Sequence, residues 1–266
     1  MIINGKRIAE DIYADLAPRY ASLGRKAVLG IVVVGENPVI ASFVRIKERS
    51  AERLGIPMLR ENLPESATEK EILDAVDTLN KNADAVIVQL PLPAGINTNN
   101  VLAGVPNEKD VDALNPTIPE DGRLVHAPVA LAAVEILERS GVHIKGACAV
   151  VVGAGRLVGG PSAWLLRKLG ANVSVFSLEE GSINDLKDAD IIVSGAGNPG
   201  FIKPEHIKQG VALIDGGTSE LNKKIAGDAD PACAQIASVF TPVPGGVGPV
   251  AVAMIFRNLL QLVEQK

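Results

Sequence analysis

The chain has 266 residues, 47% of them hydrophobic, which is enough to bury a large core in one or two domains. Its 26 basic and 31 acidic side chains give a net charge of −5 at pH 7, and no basic run occurs. A phosphate backbone requires a concentrated positive surface, so nucleic acid is excluded as the main partner and a small ligand is favoured.

The cysteines and apolar segments exclude two further classes of protein. Cys148 and Cys233 are too few for a disulfide framework or a cysteine-rich metal site, and we interpret both as buried thiols. No metal site is expected. No segment reaches about 18 uninterrupted apolar residues, and the N-terminus lacks the apolar core of a signal peptide. We therefore expect a cytoplasmic protein that does not act in a membrane.

Helices and strands alternate through the first part of the chain. The apolar pattern predicts helices over 5–22, 38–54 and 68–81, and strands over 27–34, 57–60 and 83–90. Asn37 and Gly55 are the expected caps of the second helix, and Ser66 to Glu69 is a candidate capping box for the third. This alternation predicts parallel strands with helices on both faces.

A second alternation follows a helix predicted over 128–140. Strands are predicted over 147–152, 172–176, 190–193, 211–214 and 238–240, and a last helix over 249–264. Five strands in about 95 residues suit a doubly wound parallel sheet. The predicted fold class is therefore α/β. One domain covers residues 1–121, with residues 246–266 returning to it, and a second domain, which holds the doubly wound sheet, covers residues 122–245.

One residue of the second helix does not fit its amphipathic pattern. Lys47 lies on the side of the apolar stripe, one turn after Phe43. A lone lysine there ordinarily extends its charge to solvent along an apolar stem. The functional alternative is a desolvated lysine of lowered pKa that moves a proton, assisted by the polar residues Gln89 and Asp112. The sequence alone does not decide whether these three residues meet.

A glycine-rich turn joins a strand to a helix in the segment AVVVGAGRLVGGP at 149–161. Gly153 and Gly155 permit a tight turn beside a pyrophosphate, and Gly159 permits close packing of the helix on the strand. The spacing is one residue longer than the commonest dinucleotide fingerprint. Because the turn stands between a strand and a helix, a nucleotide site is favoured over a simple tight loop.

Three further segments bear on the cofactor. Glu179 lies 20 residues after Gly159, where an acid binds ribose hydroxyls and favours NAD, although a solvated loop acid explains it equally well. Arg156 keeps NADP open. The two following strands end in SGAGNPG and IDGGTSE, whose small residues leave room for a ligand. For Asp215, in the second of these, a turn or cap role is favoured over a catalytic one.

Four motifs give the chain a specific resemblance. They are VQLPLPAGI at 88–96, KDVDA at 109–113, NPGFI at 198–202 and TPVPGGVGP at 241–249. On these motifs the chain resembles, over its whole length, the bifunctional methylenetetrahydrofolate dehydrogenase/cyclohydrolase family. The resemblance implies a folate domain, a Rossmann domain and a homodimer. It also implies two reactions: hydride transfer from 5,10-methylenetetrahydrofolate to NADP or NAD, and hydrolysis of the methenyl cation to 10-formyltetrahydrofolate.

The resemblance also implies roles for individual residues. Lys47 matches the family's catalytic lysine, Gln89 its supporting glutamine and Asp112 the acid that holds the pterin ring. The expected folate-binding residues are Phe43, Pro91, Pro244, Gly245 and Gly246. The expected cofactor-binding residues are Gly153, Gly155, Arg156, Val158, Gly159, Ser177, Glu179, Gly195, Gly197 and Gly217.

Several positions depart from the family pattern, and most departures remove a hydroxyl or a cation. Phe43 stands where tyrosine is usual, Ile40 replaces a serine and Ala127 a threonine. The usual Arg-Ser of the cofactor turn is Ala154–Gly155, and the usual His-Ser after the next strand is Ser177–Leu178. Since hydrolysis requires an activated water, we expect the loss of the tyrosine hydroxyl to weaken the cyclohydrolase step more than hydride transfer.

Three functional interpretations stay open. The first is a folate enzyme of this family, and the second is a diverged folate- or nucleotide-binding protein with little catalysis. The third is an enzyme for a different reduced pterin, because Ile40, Ala127 and Ala251 make the site more apolar. The family pattern favours NADP, whereas Ala154 and Leu178 remove partners for a 2′-phosphate, so both cofactors remain possible.

Overall fold

The computed structural model describes residues 1–177, 183–221 and 224–265. Its contacts divide the chain into two compact units. We call residues 11–126 and 255–266 the small-sheet unit, and residues 1–10 and 127–254 the large-sheet unit. The limits at residues 121 and 245, between which the second domain is expected from the sequence, remain a prediction.

The small-sheet unit is built on three parallel strands. They are β1 (Leu29–Val34), β2 (Met58–Leu63) and β3 (Ala85–Val88), in the order β2-β1-β3. Every residue of β1 and β3 is buried, as expected of strands covered on both faces, whereas every residue of the edge strand β2 is partly or fully exposed. The predicted parallel sheet is confirmed.

Four α-helices lie between residues 5 and 103. They are α1 (Gly5–Ser22), α2 (Pro38–Arg53), α3 (Glu69–Asn82) and the short α4 (Thr98–Ala103), which the sequence analysis missed. The Asn37 side chain accepts a hydrogen bond from the Ile40 N–H at 3.3 Å, and Gly55 has φ of +68°, so both predicted caps of α2 are confirmed.

The predicted capping box of α3 is wrong by two residues. Thr68, not Ser66, is the N-cap, and its side chain accepts from the Glu71 N–H while Glu71 accepts from the Thr68 N–H. The cause is that two overlapping segments, SATE and TEKE, both satisfy the pattern. The structure starts α3 at Glu69, because residues 64–67 form a turn that is closed by a hydrogen bond from the Ala67 N–H to the Pro64 carbonyl at 3.0 Å.

The large-sheet unit contains five parallel strands in the order β10-β7-β6-β4-β5. They are β4 (Cys148–Val152), β5 (Asn172–Phe176), β6 (Ile191–Ser194), β7 (Ala212–Asp215) and β10 (Val239–Phe240). Helices α5 (Pro128–Arg139) and α6 (Gly159–Lys168) pack on each other. Between β4 and β6 the order of strands reverses direction, so the predicted doubly wound sheet is confirmed.

Smaller elements complete this unit, and one prediction within it is wrong. An antiparallel hairpin of β8 (Ser219–Leu221) and β9 (Lys224–Ala226) was not expected. Cys233 is buried as predicted, but Cys148 is exposed, because it is the first residue of β4. The described residues also form 3₁₀ turns, at Asn107–Lys109, Glu120–Gly122, Ile183–Asp188, Pro204–His206 and Pro231–Gln235.

The last helix, α7 (Val247–Glu264), crosses the division between the units, as does α1. It is long and apolar enough to span a membrane by length and composition, yet 67% of it is buried inside the protein, as in a core helix. Its second half packs on the small-sheet unit: Tyr20 donates its hydroxyl to the Phe256 carbonyl at 2.6 Å, and Arg19 pairs with Glu264. The predicted return of the C-terminal helix is confirmed.

Candidate active site

The small-sheet unit brings Lys47 and Gln89 into direct contact. Lys47 lies on α2 and Gln89 directly follows β3, and the lysine Nζ donates a hydrogen bond to Gln89 Oε1 at 2.6 Å. The Gln89 amide donates to the Leu90 carbonyl at 2.8 Å, which turns its oxygen toward the lysine. Desolvation lowers the pKa of Lys47, so a larger share of its amine is neutral than in water.

Asp112 is the charged neighbour of this pair. Burial raises the pKa of its carboxyl to about 6, with a smaller raising effect from Asp110, while the Lys47 cation acts in the opposite direction. In the described part of the chain, no hydrogen bond to the Asp112 carboxylate is found. Its acceptor sites are therefore available to a ligand, unlike those of a carboxylate that caps a turn.

The backbone around Asp112 is held from both sides. Asp110 accepts hydrogen bonds from the N–H groups of Leu114 and Asn115, at 3.0 and 2.8 Å. The buried Asn258 of α7 donates to the Val111 carbonyl at 2.9 Å. Ala113, next in the chain, has φ of +56°, a strained conformation for a residue with a side chain.

The other predicted folate-binding residues divide between the two units. Phe43 is half-buried on α2, one turn before Lys47, and Pro91 is exposed after a cis peptide bond. Pro244, Gly245 and Gly246 belong to the large-sheet unit. There the turn is closed by a hydrogen bond from the Gly246 N–H to the Pro242 carbonyl at 2.7 Å, and Gly245 has φ of +108°.

In the large-sheet unit, the glycine turn after β4 leaves its backbone bare. Gly153 has φ of +88°, and a Cβ added at Gly159 would overlap the Gly153 carbonyl oxygen. A Cβ at Gly195, in the loop after β6, would meet the Val158 side chain at 2.5 Å. A Cβ at Gly153 would meet the Gly195 carbonyl oxygen at 2.9 Å, so the turn and this loop also approach each other through their backbones near the start of α6. A bare backbone before a helix N-terminus is the arrangement that holds a pyrophosphate, so the residues fit a dinucleotide.

The remaining predicted cofactor residues vary in placement. Gly155 and Arg156 are exposed in the turn, and Ser177 directly follows β5. Gly197 is exposed in the loop after β6, and Gly217 is buried after β7. Glu179 lies outside the described residues, as does Leu178. Within the ranges that are described, no group of His, Cys, Asp or Glu is arranged to hold a metal ion.

Two buried aspartates hold the loops after β6 and β7. Asp215 accepts hydrogen bonds from the N–H groups of Gly217, Asp228 and Ala229 at 2.8–3.1 Å, which agrees with its interpretation as a turn residue. Burial raises the pKa of its carboxyl to about 6. Asp228 accepts from the Ser194 hydroxyl and from two backbone N–H groups of the β6 loop.

Family models match both parts of the chain. The tetrahydrofolate dehydrogenase/cyclohydrolase catalytic domain matches residues 3–112, and the NAD(P)-binding domain of the same family matches residues 127–266. The chain belongs to this family. The range matched by the NAD(P)-binding domain contains the five-stranded sheet and its glycine turn.

Individual relatives agree with the family models. The chain is 37% identical to the bifunctional protein FolD of Halothermothrix orenii, over 98% of this chain and 96% of that protein. It matches the Trypanosoma brucei methylenetetrahydrofolate dehydrogenase-cyclohydrolase, solved with NADP and an inhibitor, at 32% identity and a TM-score of 0.93. The match covers 100% of this chain and 97% of that one. The Campylobacter jejuni FolD structure also has a TM-score of 0.93, at 31% identity and with 100% and 99% of the two chains covered.

Sequence reasoning missed the residues that support the site. Asp228 binds backbone N–H groups 30–32 residues earlier in the chain and also the Ser194 hydroxyl, and Asn258 binds backbone carbonyls 132–147 residues earlier. No local spacing pattern marks such a residue. A weak signal exists for Asp228, since it lies beside Gly227, whose missing Cβ would overlap the Asp215 carboxylate.

Proposed function

We propose that the protein oxidises 5,10-methylenetetrahydrofolate to the methenyl form with a nicotinamide dinucleotide and hydrolyses the product to 10-formyltetrahydrofolate. The observation that carries this proposal is the 2.6 Å hydrogen bond from Lys47 Nζ to Gln89 Oε1, electrostatically coupled to Asp112. Family membership supplies the reaction class. A lysine of lowered pKa in this arrangement is suited to proton transfer rather than to a purely structural ion pair.

Lys47 acts as a base and then as an acid in the hydrolysis. The neutral amine takes a proton from the water that attacks the methenyl carbon, leaving a hydroxyl on that carbon. The ammonium then returns this proton to ring nitrogen N5 as the bond between carbon and N5 breaks. The hydroxyl loses its proton to solvent, which leaves a formyl group on N10. Gln89 fixes the amine by accepting one of its hydrogens.

Asp112 is proposed to hold the pterin ring. With a pKa of about 6 it is mostly ionised at pH 7, and its two oxygens then accept from adjacent N–H groups of the heterocycle. The cation of a methenyl intermediate is also favoured by a nearby carboxylate. Protonation below pH 6 removes this acceptor, so folate affinity should fall as pH drops through that value.

The dinucleotide is proposed to bind on the glycine turn between β4 and α6. When bound, it supplies the hydride acceptor for the dehydrogenase step. The bare backbone at Gly153 and Gly159 would receive the pyrophosphate, and Glu179 would bind the adenosine ribose. NADP follows the family pattern, while an acid at this position and Ala154 in the turn favour NAD. Parallel titration with both dinucleotides decides between them.

Phe43 is proposed to weaken the cyclohydrolase step. It is half-buried on α2, one turn before Lys47, and carries no hydroxyl to hold a water or relay a proton. Phe43→Tyr should raise the hydrolysis rate several-fold and leave hydride transfer nearly unchanged. Phe43→Leu, which removes the ring without adding a hydroxyl, is the matched control. A wild-type hydrolysis rate equal to the dehydrogenase rate would contradict this assignment.

Assays of the two steps on the full chain test the proposed function. The first step is measured as reduction of the dinucleotide, and the second step is measured as loss of methenyl absorbance. If both rates are undetectable while tetrahydrofolate still binds, the protein is a folate-binding relative without catalysis. If other reduced pterins compete better than tetrahydrofolate, the substrate class is different.

Assembly and location complete the proposal. Homodimers of a cytoplasmic enzyme are expected from the family pattern, and sedimentation at micromolar concentration tests the dimer. The predicted domain limits at residues 121 and 245 are tested by limited proteolysis, which should cut near them if they separate folding units.

A further inference from the structure

The loop after β6 owes its shape to a side chain far away in sequence. The Asp228 carboxylate accepts three hydrogen bonds: from Ser194 Oγ at 2.7 Å, from the Ala196 N–H at 2.7 Å and from the Asn198 N–H at 2.8 Å. Asp228 and Ser194 have no exposed surface. Burying a carboxylate is costly unless such donors surround it, so an apolar residue would be the simpler filling for this position.

Asp228 is itself held by the other buried aspartate. Asp215, at the end of β7, accepts from the Asp228 N–H at 3.1 Å and from the Ala229 N–H at 2.8 Å. A Cβ at Gly217 would meet the Asp228 carboxylate at 2.5 Å, so only glycine fits there. The ends of β6 and β7 and the segment around Asp228 therefore form one connected polar cluster.

The position of this cluster in the sheet indicates which part of a dinucleotide it serves. In a doubly wound sheet the dinucleotide crosses the point where strand order reverses, here between β4 and β6. The adenosine half of the dinucleotide lies on the side of the second strand of such a sheet, which here is β5. The loops after β6 and β7 therefore face the nicotinamide half.

We propose that Asp228 is a positioning residue for the nicotinamide half of the dinucleotide. Its carboxylate holds the backbone of the loop from Gly195 to Asn198 in the shape that receives the cofactor, and Asp215 keeps Asp228 in place. This inference rests on the proposed function, because it requires that the large-sheet unit binds a dinucleotide.

Asp228→Asn tests the proposal with almost no change in volume. The amide has one acceptor oxygen, so in either orientation its NH₂ group opposes the backbone N–H of Ala196 or of Asn198. The expected result is a dissociation constant for the reduced dinucleotide about tenfold higher. The fluorescence of the bound nicotinamide should shift, and the affinity for tetrahydrofolate should stay the same.

Asp190→Asn is the matched control. The Asp190 carboxylate also accepts a backbone hydrogen bond, from the Cys148 N–H at 2.8 Å. Asp190 directly precedes β6, so it lies at the amino ends of the strands, whereas the Asp228 cluster lies at their carboxyl ends. This variant should bind the dinucleotide like wild type. Equal weakening in both variants, or an unchanged dissociation constant in folded Asp228→Asn, would overturn the proposal.

A second variant keeps the test decisive if Asp228→Asn does not fold. Ser194→Ala removes one of the three donors and should raise the dissociation constant about threefold. An unchanged constant there would overturn the proposal as well. Failure of the wild-type chain to bind NADPH or NADH would instead overturn the proposed function, so the two failures are distinguishable.

Discussion

The two units build their candidate sites from different kinds of chemical group, side chains in one and backbone in the other. In the small-sheet unit the chemistry belongs to side chains, since the Lys47 amine and the Asp112 carboxyl are both shifted in pKa by desolvation. In the large-sheet unit the candidate site consists of backbone that glycines leave uncovered, and the buried aspartates form hydrogen bonds that hold this backbone in place. A buried charge therefore indicates a reactive group only where its hydrogen-bonding sites are left open.

Asp112 and Asp215 make this contrast sharpest. Burial raises the pKa of each carboxyl to about 6. Asp215 accepts three backbone N–H groups, whereas no hydrogen bond to the Asp112 carboxylate is found among the described residues. The same pKa shift therefore accompanies a structural role in one unit and a proposed ligand-binding role in the other.

The largest effect should come from removing the reactive amine. Lys47→Met keeps an unbranched apolar stem without the amine and should lower the rate of methenyl hydrolysis by about 10²–10⁴, the usual contribution of a general base. Arg49→Met changes an exposed cation on the same helix and should change the rate by less than about twofold. A hydrolysis rate retained in Lys47→Met would show that the side-chain site is not the reacting one.

A pair of adjacent glycines tests the backbone site. Gly159→Ala places a Cβ on the Gly153 carbonyl oxygen, so we expect at least tenfold weaker dinucleotide binding and a loss of about 1–3 kcal/mol in unfolding free energy. Gly160→Ala places its Cβ 3.6 Å from the nearest atom and should leave both quantities intact. Fluorescence titration and urea unfolding measure them. Equal behaviour of the two variants would contradict the close packing at Gly159.

The same substitution at the two acids should have opposite effects. A carboxyl whose pKa is raised on folding adds stability below its unfolded value near 3.8, and that stability is lost as pH rises through about 6. Asp112→Asn has no carboxyl to ionise, so it should raise the unfolding free energy at pH 8 by about 1 kcal/mol. The pKa rise from 3.8 to about 6 sets an upper limit of about 3 kcal/mol on this gain. The gain should shrink at pH 5, and folate affinity should fall.

Asp215→Asn should instead destabilise the protein by about 1–3 kcal/mol, because an NH₂ group replaces an acceptor for one of three backbone N–H groups. Urea unfolding of both variants at pH 5 and pH 8 provides the comparison. A stabilising Asp215→Asn, or a destabilising Asp112→Asn at pH 8, would remove the distinction between the two carboxyls.

The smallest expected effect concerns the strained residue beside Asp112. Ala113 has φ of +56°, where glycine is less strained, so Ala113→Gly should raise the unfolding free energy by up to about 1 kcal/mol. Ala75→Gly, within α3, should lower it by about 1 kcal/mol and is the matched control. A loss of stability in Ala113→Gly would show that this backbone conformation carries no strain.

Most of the fold follows from local patterns in the sequence. Helix α1 and strand β5 begin and end at the predicted residues, and Asn37 and Gly55 cap α2 as predicted. Hydrophobic periodicity and caps depend on neighbours within a few residues, which is why they are readable from the chain alone. Where two local signals overlap, as in the capping box of α3, the sequence pattern alone does not choose between them.

Local patterns and motifs predict the α/β class, the family and the unexpected lysine on α2. Folding adds three features that no local pattern shows: Lys47 contacts Gln89, the Asp112 carboxylate accepts no hydrogen bond among the described residues, and Asp228 holds a loop 30–32 residues earlier. The physical reason is that desolvation and hydrogen-bond partners depend on groups brought together by parallel strands from separate parts of the chain.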